Sequence, residues 1–301
     1  MNALRSSDLA PEFAARVLHD EPMAKHTSWH VGGPADLFFT PRDAADLSGF
    51  LRQLPAHIAV MWIGLGSNLL VRDGGVRGAV ISTHGALGSM ARLSASRIHA
   101  EAGVPCARIA RQCVKWGMGP ADFFAGIPGT LGGALAMNAG AWGSETWSSV
   151  RQVAVLDRGG VRRERSPADY DIGYRRARGP ENEWFIGAEL EFEPAPGANS
   201  DGIRALLDKR RETQPIGDWS CGSVFTNPPG DHAARLIESA GLKGYRLGAV
   251  SVSEKHANFI INHGAATAAD IEALIVHVQR AVARAHGVEL HTEVRIVGEA
   301  P

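Results

Sequence analysis

Hydrophobic and polar residues alternate strictly from Glu183 to Glu193: Trp184, Ile186, Ala188, Leu190 and Phe192 share one face, and Glu189, Glu191 and Glu193 the other. A period of two over this length predicts a half-buried strand. Toward the C-terminus the period lengthens. Ile271, Leu274, Ile275, Val278 and Val282 form one helical stripe, opened by Thr267 and Asp270 at capping-box spacing and closed near Gly287. Between these segments the patterns are weaker. Thr40-Pro41-Arg42-Asp43 predicts a helix start with Thr40 as N-cap, running to about Leu54. Apolar runs at Ala59–Leu65 and Ala79–Ser82 predict strands on either side of a glycine cluster, and Arg97–Gly103 and Pro105–Trp116 predict a strand and a helix. Val150–Asp157 and Val161–Glu164, joined by Arg158-Gly159-Gly160, read as a hairpin. Helices are expected over Asp201 to about Thr213 and near Asp231–Ala240, and a final strand over Val288–Val297.

Pro194-Ala195-Pro196-Gly197-Ala198-Asn199-Ser200 interrupts both periods, since proline and glycine oppose helix and ladder alike, and a domain boundary is expected there. The 301 residues suffice for two domains. Composition changes this picture in one respect: 35 glycines exceed the usual share of roughly 7%. Lys plus Arg (31) nearly equals Asp plus Glu (32), so no strong field draws nucleic acid or an acidic membrane surface. Met1–Leu18 has no continuous apolar segment of the signal-peptide kind, and the run from Ile58 to Leu65 is far below the ~20 residues of a membrane helix; a cytoplasmic protein is expected. Cys106, Cys113 and Cys221 form no C-x-x-C pair, and His26 and His30 lack the glutamate of H-E-x-x-H, so no metal is expected.

The glycines concentrate at two places. The first is Gly64-Leu65-Gly66-Ser67-Asn68-Leu69-Leu70. Residues free to take positive φ let successive backbone N–H groups converge on a phosphate, with Ser67 and Asn68 as added donors; a structural turn is the competing explanation. This is no dinucleotide fingerprint, because the third glycine and the following helix are missing, and no G-x-x-x-x-G-K-[ST] occurs. The second cluster runs from Gly126-Ile127-Pro128-Gly129-Thr130 through Gly132, Gly133 and Asn138-Ala139-Gly140, with almost no side chain able to fill a core. Such a segment lets main chain approach a flat, extended ligand closely.

These loops, together with Thr27-Ser28-Trp29-His30-Val31-Gly32-Gly33-Pro34, resemble the UDP-N-acetylenolpyruvoylglucosamine reductase family, in the family's order from about Met23 to Gly298. The resemblance implies an α+β fold: a two-subdomain FAD-binding domain of the vanillyl-alcohol-oxidase (PCMH) type, at 23–85 and 86–195, then a smaller α+β substrate-binding domain at 196–301, with an N-terminal helical extension at 1–22. It implies FAD as cofactor, NADPH as hydride donor, a UDP-linked enolpyruvyl sugar as substrate, peptidoglycan precursor synthesis as the setting, and a monomer. The implied cofactor contacts are Gly64, Gly66, Ser67, Asn68 and Leu69 in the first loop and Gly126, Ile127, Pro128, Gly129, Thr130, Gly133, Asn138, Ala139 and Gly140 in the second.

Three later segments match the family's catalytic motifs: Tyr170-Asp171-Ile172-Gly173-Tyr174-Arg175, Cys221-Gly222-Ser223-Val224-Phe225-Thr226-Asn227-Pro228 and His291-Thr292-Glu293-Val294-Arg295. By resemblance Arg175, Ser223 and Glu293 are catalytic, and Tyr174, Asn227 and Lys255 contact substrate. The chemistry asks for such a set. Hydride reaching the methylene carbon of an enol ether leaves negative charge on the neighbouring carbon and its carboxylate; a guanidinium fork suits that carboxylate, and a hydroxyl supplies the proton. Glu293 acts on the carboxylate either protonated or by orienting a donor. The chain departs from the family at Thr226, where lysine is common, at Cys221, where alanine is common, and at Arg176-Ala177, where a serine often follows. The short segment between Arg175 and Trp184 resembles the compact form without an added substrate-covering loop. A flavin oxidase of the same fold and a flavin-holding electron-transfer module are the competing readings.

Overall fold

In the computed structural model, which describes residues 9–301, the alternating segment becomes Glu183–Glu191, the central strand of a five-stranded antiparallel sheet. The strand order is Arg162–Arg165, Val150–Asp157, Glu183–Glu191, Arg97–Glu101, Met90–Arg92. One expectation is corrected here. The register shifts where Ala154 pairs with Gly187 and Val155 with Phe185, and this irregularity at Ile186 exchanges the faces. Ala188, Leu190 and Phe192 join Ile98, Ile109, Leu131 and Leu135 in one core, whereas Ile186 joins Phe39, Leu47 and Phe50 in another. The strand is therefore covered on both sides, and Glu191 at its end meets Arg97 at 3.0 Å.

Most helices begin and end for local reasons. Ala268–His286 has the Thr267–Asp270 capping box, buries the whole predicted stripe and stops at Gly287 with φ 66°. Asp201–Thr213 matches its expected span, and Cys106–Trp116 ends at Gly117, φ 67°. The helix Ala44–Gln53 starts later than expected: Asp43, not Thr40, is its N-cap, because the Asp43 carboxylate accepts the Asp46 N–H at 2.8 Å. Of the helical extension expected at 1–22, residues 1–8 lie outside the described residues, Pro11–Ala14 make a single turn, and Leu18–Pro22 is a strand. The final strand shrinks to Arg295–Val297, which pairs in parallel with Leu69–Val71. Upstream of it no ladder forms; Glu293 N instead bonds the Val224 carbonyl at 2.8 Å.

The chain divides into two compact units. The first comprises Leu37–Leu65, Gly78–Lys209 and the N-terminal segment to His19; the second comprises Asp20–Asp36, Gly66–Arg77 and Arg210–Pro301. The break at Lys209 lies beyond the boundary expected at Pro194–Ser200, for a packing reason: Glu193–Pro194 pairs with Met118–Gly119, and Ile203 of the next helix is buried in the first unit's core. In the first unit Val60–Ile63 pairs in parallel with Ala79–Ser82 and delivers the chain to Gly64. In the second, the strands Arg246–Leu247, Val250–Val252 and Ile260–Asn262 form one sheet, and Val250, Val252 and Ile260 share a core with the stripe of Ala268–His286. Trp29 lies fully buried there, its indole N–H donating to the Ile260 carbonyl at 2.8 Å.

Candidate active site

The second glycine loop, in the first unit, forms a 3-10 turn, Asp122–Gly126, and a short helix, Leu131–Met137. Many of its glycines serve the protein's own packing. A Cβ on Gly126 would overlap the Trp142 ring, and one on Gly132 would press on Ala102. Several amides are also taken: Gly129 N bonds Ile127 O at 3.0 Å, Leu131 N bonds Val104 O at 2.9 Å and Gly132 N bonds Ala102 O at 2.8 Å. Ile127 and Ala139 are buried, and Pro128 is exposed. Two features point outward from this internal economy. Gly133 is exposed with nothing within 4 Å of a Cβ there, so no protein neighbour requires its glycine. Thr130, 2% exposed, holds a hydroxyl without a hydrogen-bond partner at the place a Cβ on Gly64 would occupy. An orphaned buried hydroxyl beside bare main chain fits a phosphate-bearing cofactor.

Arg175 sits on a tight hairpin of the same unit, between Asp171–Gly173 and Arg176–Arg178. Its φ is 53°, a left-handed conformation that glycine adopts freely and arginine does not. The guanidinium Nη2 donates to the Gly140 carbonyl at 3.3 Å, and the guanidinium carbon lies 5.2 Å from the ring centroid of Tyr174, which is 51% exposed. Arg176, by contrast, pairs with Asp171 at 2.9 Å, so Arg175 is the arginine held against the glycine loop. Asn138 turns inward: its Nδ2 donates to Glu145 Oε2 at 2.8 Å and to Gly173 O at 3.0 Å, and its Oδ1 accepts from Trp147 N at 3.1 Å. Sequence reasoning passed over Trp142. It is 38% exposed, occupies a left-handed turn position (φ 51°) before Gly143, and covers Gly126. A large aromatic inside a side-chain-poor run was the available signal.

The second unit holds the remaining residues. Gly66 takes φ 66°, and a Cβ there would overlap the His26 carbonyl, while Ser67 is half-buried. Asn68 Nδ2 donates to the Glu293 carbonyl at 3.0 Å, and Leu69 O faces the Cys221 thiol at 3.4 Å. Burial pushes that thiol up to about 12. Buried Asn258 brackets the residues after Ser223: its carbonyl accepts from Val224 N at 2.9 Å and its side chain exchanges bonds with Phe225 N and O at 3.0 and 2.8 Å. With Glu293 N on Val224 O, the Ser223 and Glu293 segments lie side by side. Thr226 Oγ1 donates to His291 O at 3.2 Å, and Asn227 Oδ1 accepts from Ala233 N at 3.0 Å, starting the helix Ala233–Ser239. Lys255 donates to the Arg211 carbonyl at the edge of an open groove of about 710 Å³ that Trp219, Arg246 and His263 also line. Ser223, Glu293 and Asn227 do not line that groove.

Residues 35–164 match the FAD binding domain, and residues 214–297 match the UDP-N-acetylenolpyruvoylglucosamine reductase, C-terminal domain. The UDP-N-acetylenolpyruvoylglucosamine reductase of Alkalilimnicola ehrlichii is 60% identical, over 94% of this chain and 95% of that protein; its counterpart in Methylococcus capsulatus is 56% identical, over 94% and 93%. The chain belongs to the UDP-N-acetylenolpyruvoylglucosamine reductase family. The crystal structure of UDP-N-acetylenolpyruvylglucosamine reductase from Thermus caldophilus superposes with a TM-score of 0.77 at 29% identity, covering 95% of this chain and 98% of that one. The α+β class expected for a UDP-N-acetylenolpyruvoylglucosamine reductase, an FAD-binding domain followed by a C-terminal domain of its own, is borne out. Among the described residues, no helix of this reductase family member is long and apolar enough to cross a membrane.

Proposed function

We propose that this chain reduces the enolpyruvyl ether of UDP-N-acetylglucosamine enolpyruvate to UDP-N-acetylmuramate, with FAD as cofactor and NADPH as hydride donor, as a cytoplasmic monomer in peptidoglycan precursor synthesis. The observation that carries this reading is Arg175, held in a left-handed turn with its guanidinium on the carbonyl of Gly140 at the end of the second glycine loop. Strained backbone at an arginine is retained where the side chain has a task.

Thr130, Gly64 and Gly133 are the residues of the first unit best suited to the cofactor's diphosphate. Bound flavin supplies the hydride relay between the pyridine nucleotide and the enol ether. Arg175 takes the substrate carboxylate, whose charge grows as the neighbouring carbon becomes carbanionic; a preorganised donor at developing charge is worth roughly 3–4 kcal/mol. Ser223 gives its hydroxyl proton to that carbon. Glu293 assists at the same carboxylate, and Tyr174, Asn227 and Lys255 hold the nucleotide sugar.

Anaerobic mixing of the NADPH-reduced protein with the enolpyruvyl UDP-sugar, followed through flavin absorbance, tests the reading. Reoxidation is expected in the unsubstituted protein. Ser223→Ala should keep NADPH-driven bleaching and lose reoxidation. A colourless protein that takes up no flavin, or reduced flavin left unchanged by the sugar, would end the proposal.

A further inference from the structure

Two bonds of equal span tie the Arg175 hairpin to the second glycine loop. Asn138 Nδ2 donates to Gly173 O at 3.0 Å and Arg175 Nη2 donates to Gly140 O at 3.3 Å, each bond linking residues 35 apart in sequence. The two are unequal in quality. The arginine bond is long and sits on a flexible side chain, whereas Asn138 is 1% exposed and fixed on all sides. Its second amide hydrogen goes to Glu145 Oε2 at 2.8 Å, and its Oδ1 accepts from Trp147 N at 3.1 Å. Two acceptors on one side and a donor on the other leave a single orientation of the amide. The backbone contributes as well: Asn138 takes φ 45°, ψ 53° as the C-cap of Leu131–Met137, a conformation asparagine tolerates, so the residue that ends this helix also aims its amide at the hairpin.

Ile172 and Ala177 pack the hairpin's strands on the core, but those strands are three residues each and the turn beyond them holds a left-handed arginine, so the place of the turn depends on the bonds made at its base. Gly173 O is the last carbonyl before that turn. We infer that Asn138 is a positioning residue for the reduction: it fixes the height of the Arg175 turn over the glycine loop and touches neither flavin nor substrate. The inference rests on the reading of Arg175 as the carboxylate-binding group. A misplacement of ~1 Å costs about 100-fold in rate, so losing this bond acts on the step in which Arg175 works.

Asn138→Gly is the informative variant, because glycine keeps the left-handed backbone and removes the amide. It is compared with Arg175→Ala and with the double substitution in a cycle of anaerobic half-reactions, together with FAD titration of the apoprotein. For Asn138→Gly, FAD affinity and the rate of reduction by NADPH should stay within about threefold, and reoxidation by the enolpyruvyl UDP-sugar should slow about tenfold or more. In the Arg175→Ala background the same substitution should slow reoxidation no further. Losses that multiply, unchanged reoxidation, or weakened FAD binding with normal reoxidation at saturating FAD would each overturn the inference. Should Asn138→Gly fail to fold, Asn138→Asp combined with Glu145→Gln exchanges amide and carboxylate, restoring the 138–145 bond while leaving Gly173 O without its donor. A recovered thermal midpoint with reoxidation still about tenfold slow supports the positioning role; recovery of both removes it. No reoxidation in the unsubstituted protein would instead overturn the functional reading, and with it the role of Arg175.

Discussion

The hydroxyl of Thr130 stands in the space that a Cβ on Gly64 would fill, so the glycine after the Val60–Ile63 strand meets the second glycine loop through that one side chain. That hydroxyl is buried and unbonded within the protein. Thr130→Val removes an orphaned polar group whose burial costs about 1–3 kcal/mol. The apoprotein should melt at the same or a higher temperature. FAD affinity, measured by fluorescence titration, should fall about tenfold, equivalent to ~1.4 kcal/mol; unchanged affinity would remove Thr130 from the flavin site.

Gly133 offers a contrast with Gly64. Alanine fits Gly133 without meeting any protein atom and suits a helix better by roughly 0.5–1 kcal/mol. Gly133→Ala should therefore stabilise the apoprotein slightly while weakening FAD. A variant stabilised with FAD affinity intact would mean that no ligand approaches this glycine.

Arg175→Gly should separate stability from activity. Glycine relieves a left-handed backbone that costs an arginine about 1 kcal/mol, so unfolding by urea should shift to an equal or higher midpoint. Turnover should fall roughly 100- to 1000-fold with loss of the charge-stabilising donor. Near-normal kcat in this variant would exclude Arg175 from the chemistry.

Asp46 links stability to pH. Its carboxylate, 4% exposed, accepts from Arg16 at 2.6 and 2.8 Å and from Arg42 at 2.8 and 2.9 Å, and the Arg16 bond above all holds it well below the usual carboxylate range. A depressed folded value means that the unfolded chain binds the proton first. The contribution is complete above the unfolded value near ~4 and disappears as pH falls through the folded one. Asp46→Asn should thus lower the melting temperature at pH 7 by an amount equivalent to about 1–3 kcal/mol, and the gap to the parent should narrow in strong acid. A constant gap at every pH would assign the loss to packing.

All three thiols are buried, and burial raises Cys106, Cys113 and Cys221 to about 12. Thiolate is the reactive form, so none should react with a disulfide reagent at pH 8 in the native protein, and all three should react in denaturant. Rapid native labelling of Cys221 would contradict its packing against Leu69 O.

Much of the fold was legible because its signals are short-range. The Thr267–Asp270 box, Gly117 and Gly287 as helix stops, and the apolar stripe of Ala268–His286 depend on residues three or four apart. The glycine clusters and the Arg175, Ser223 and Glu293 motifs were visible as contiguous strings for the same reason. Trp142 was missed because what sets it apart, its left-handed turn over Gly126, is a property of packing.

The sequence alone settled which backbone segments curl, extend or turn, and which family the chain resembles, since torsional preference and amphipathic period are carried by neighbouring residues. Tertiary structure alone decided where polar groups spend their hydrogen bonds. Asn68, read as a ligand donor, and Asn138, implied as a cofactor contact, give amide hydrogens to carbonyls 225 and 35 residues away, and the bulge at Ile186 moves that side chain to the other face of its sheet. Such choices depend on partners distant in the chain, and a buried amide takes whichever acceptor the fold brings to it.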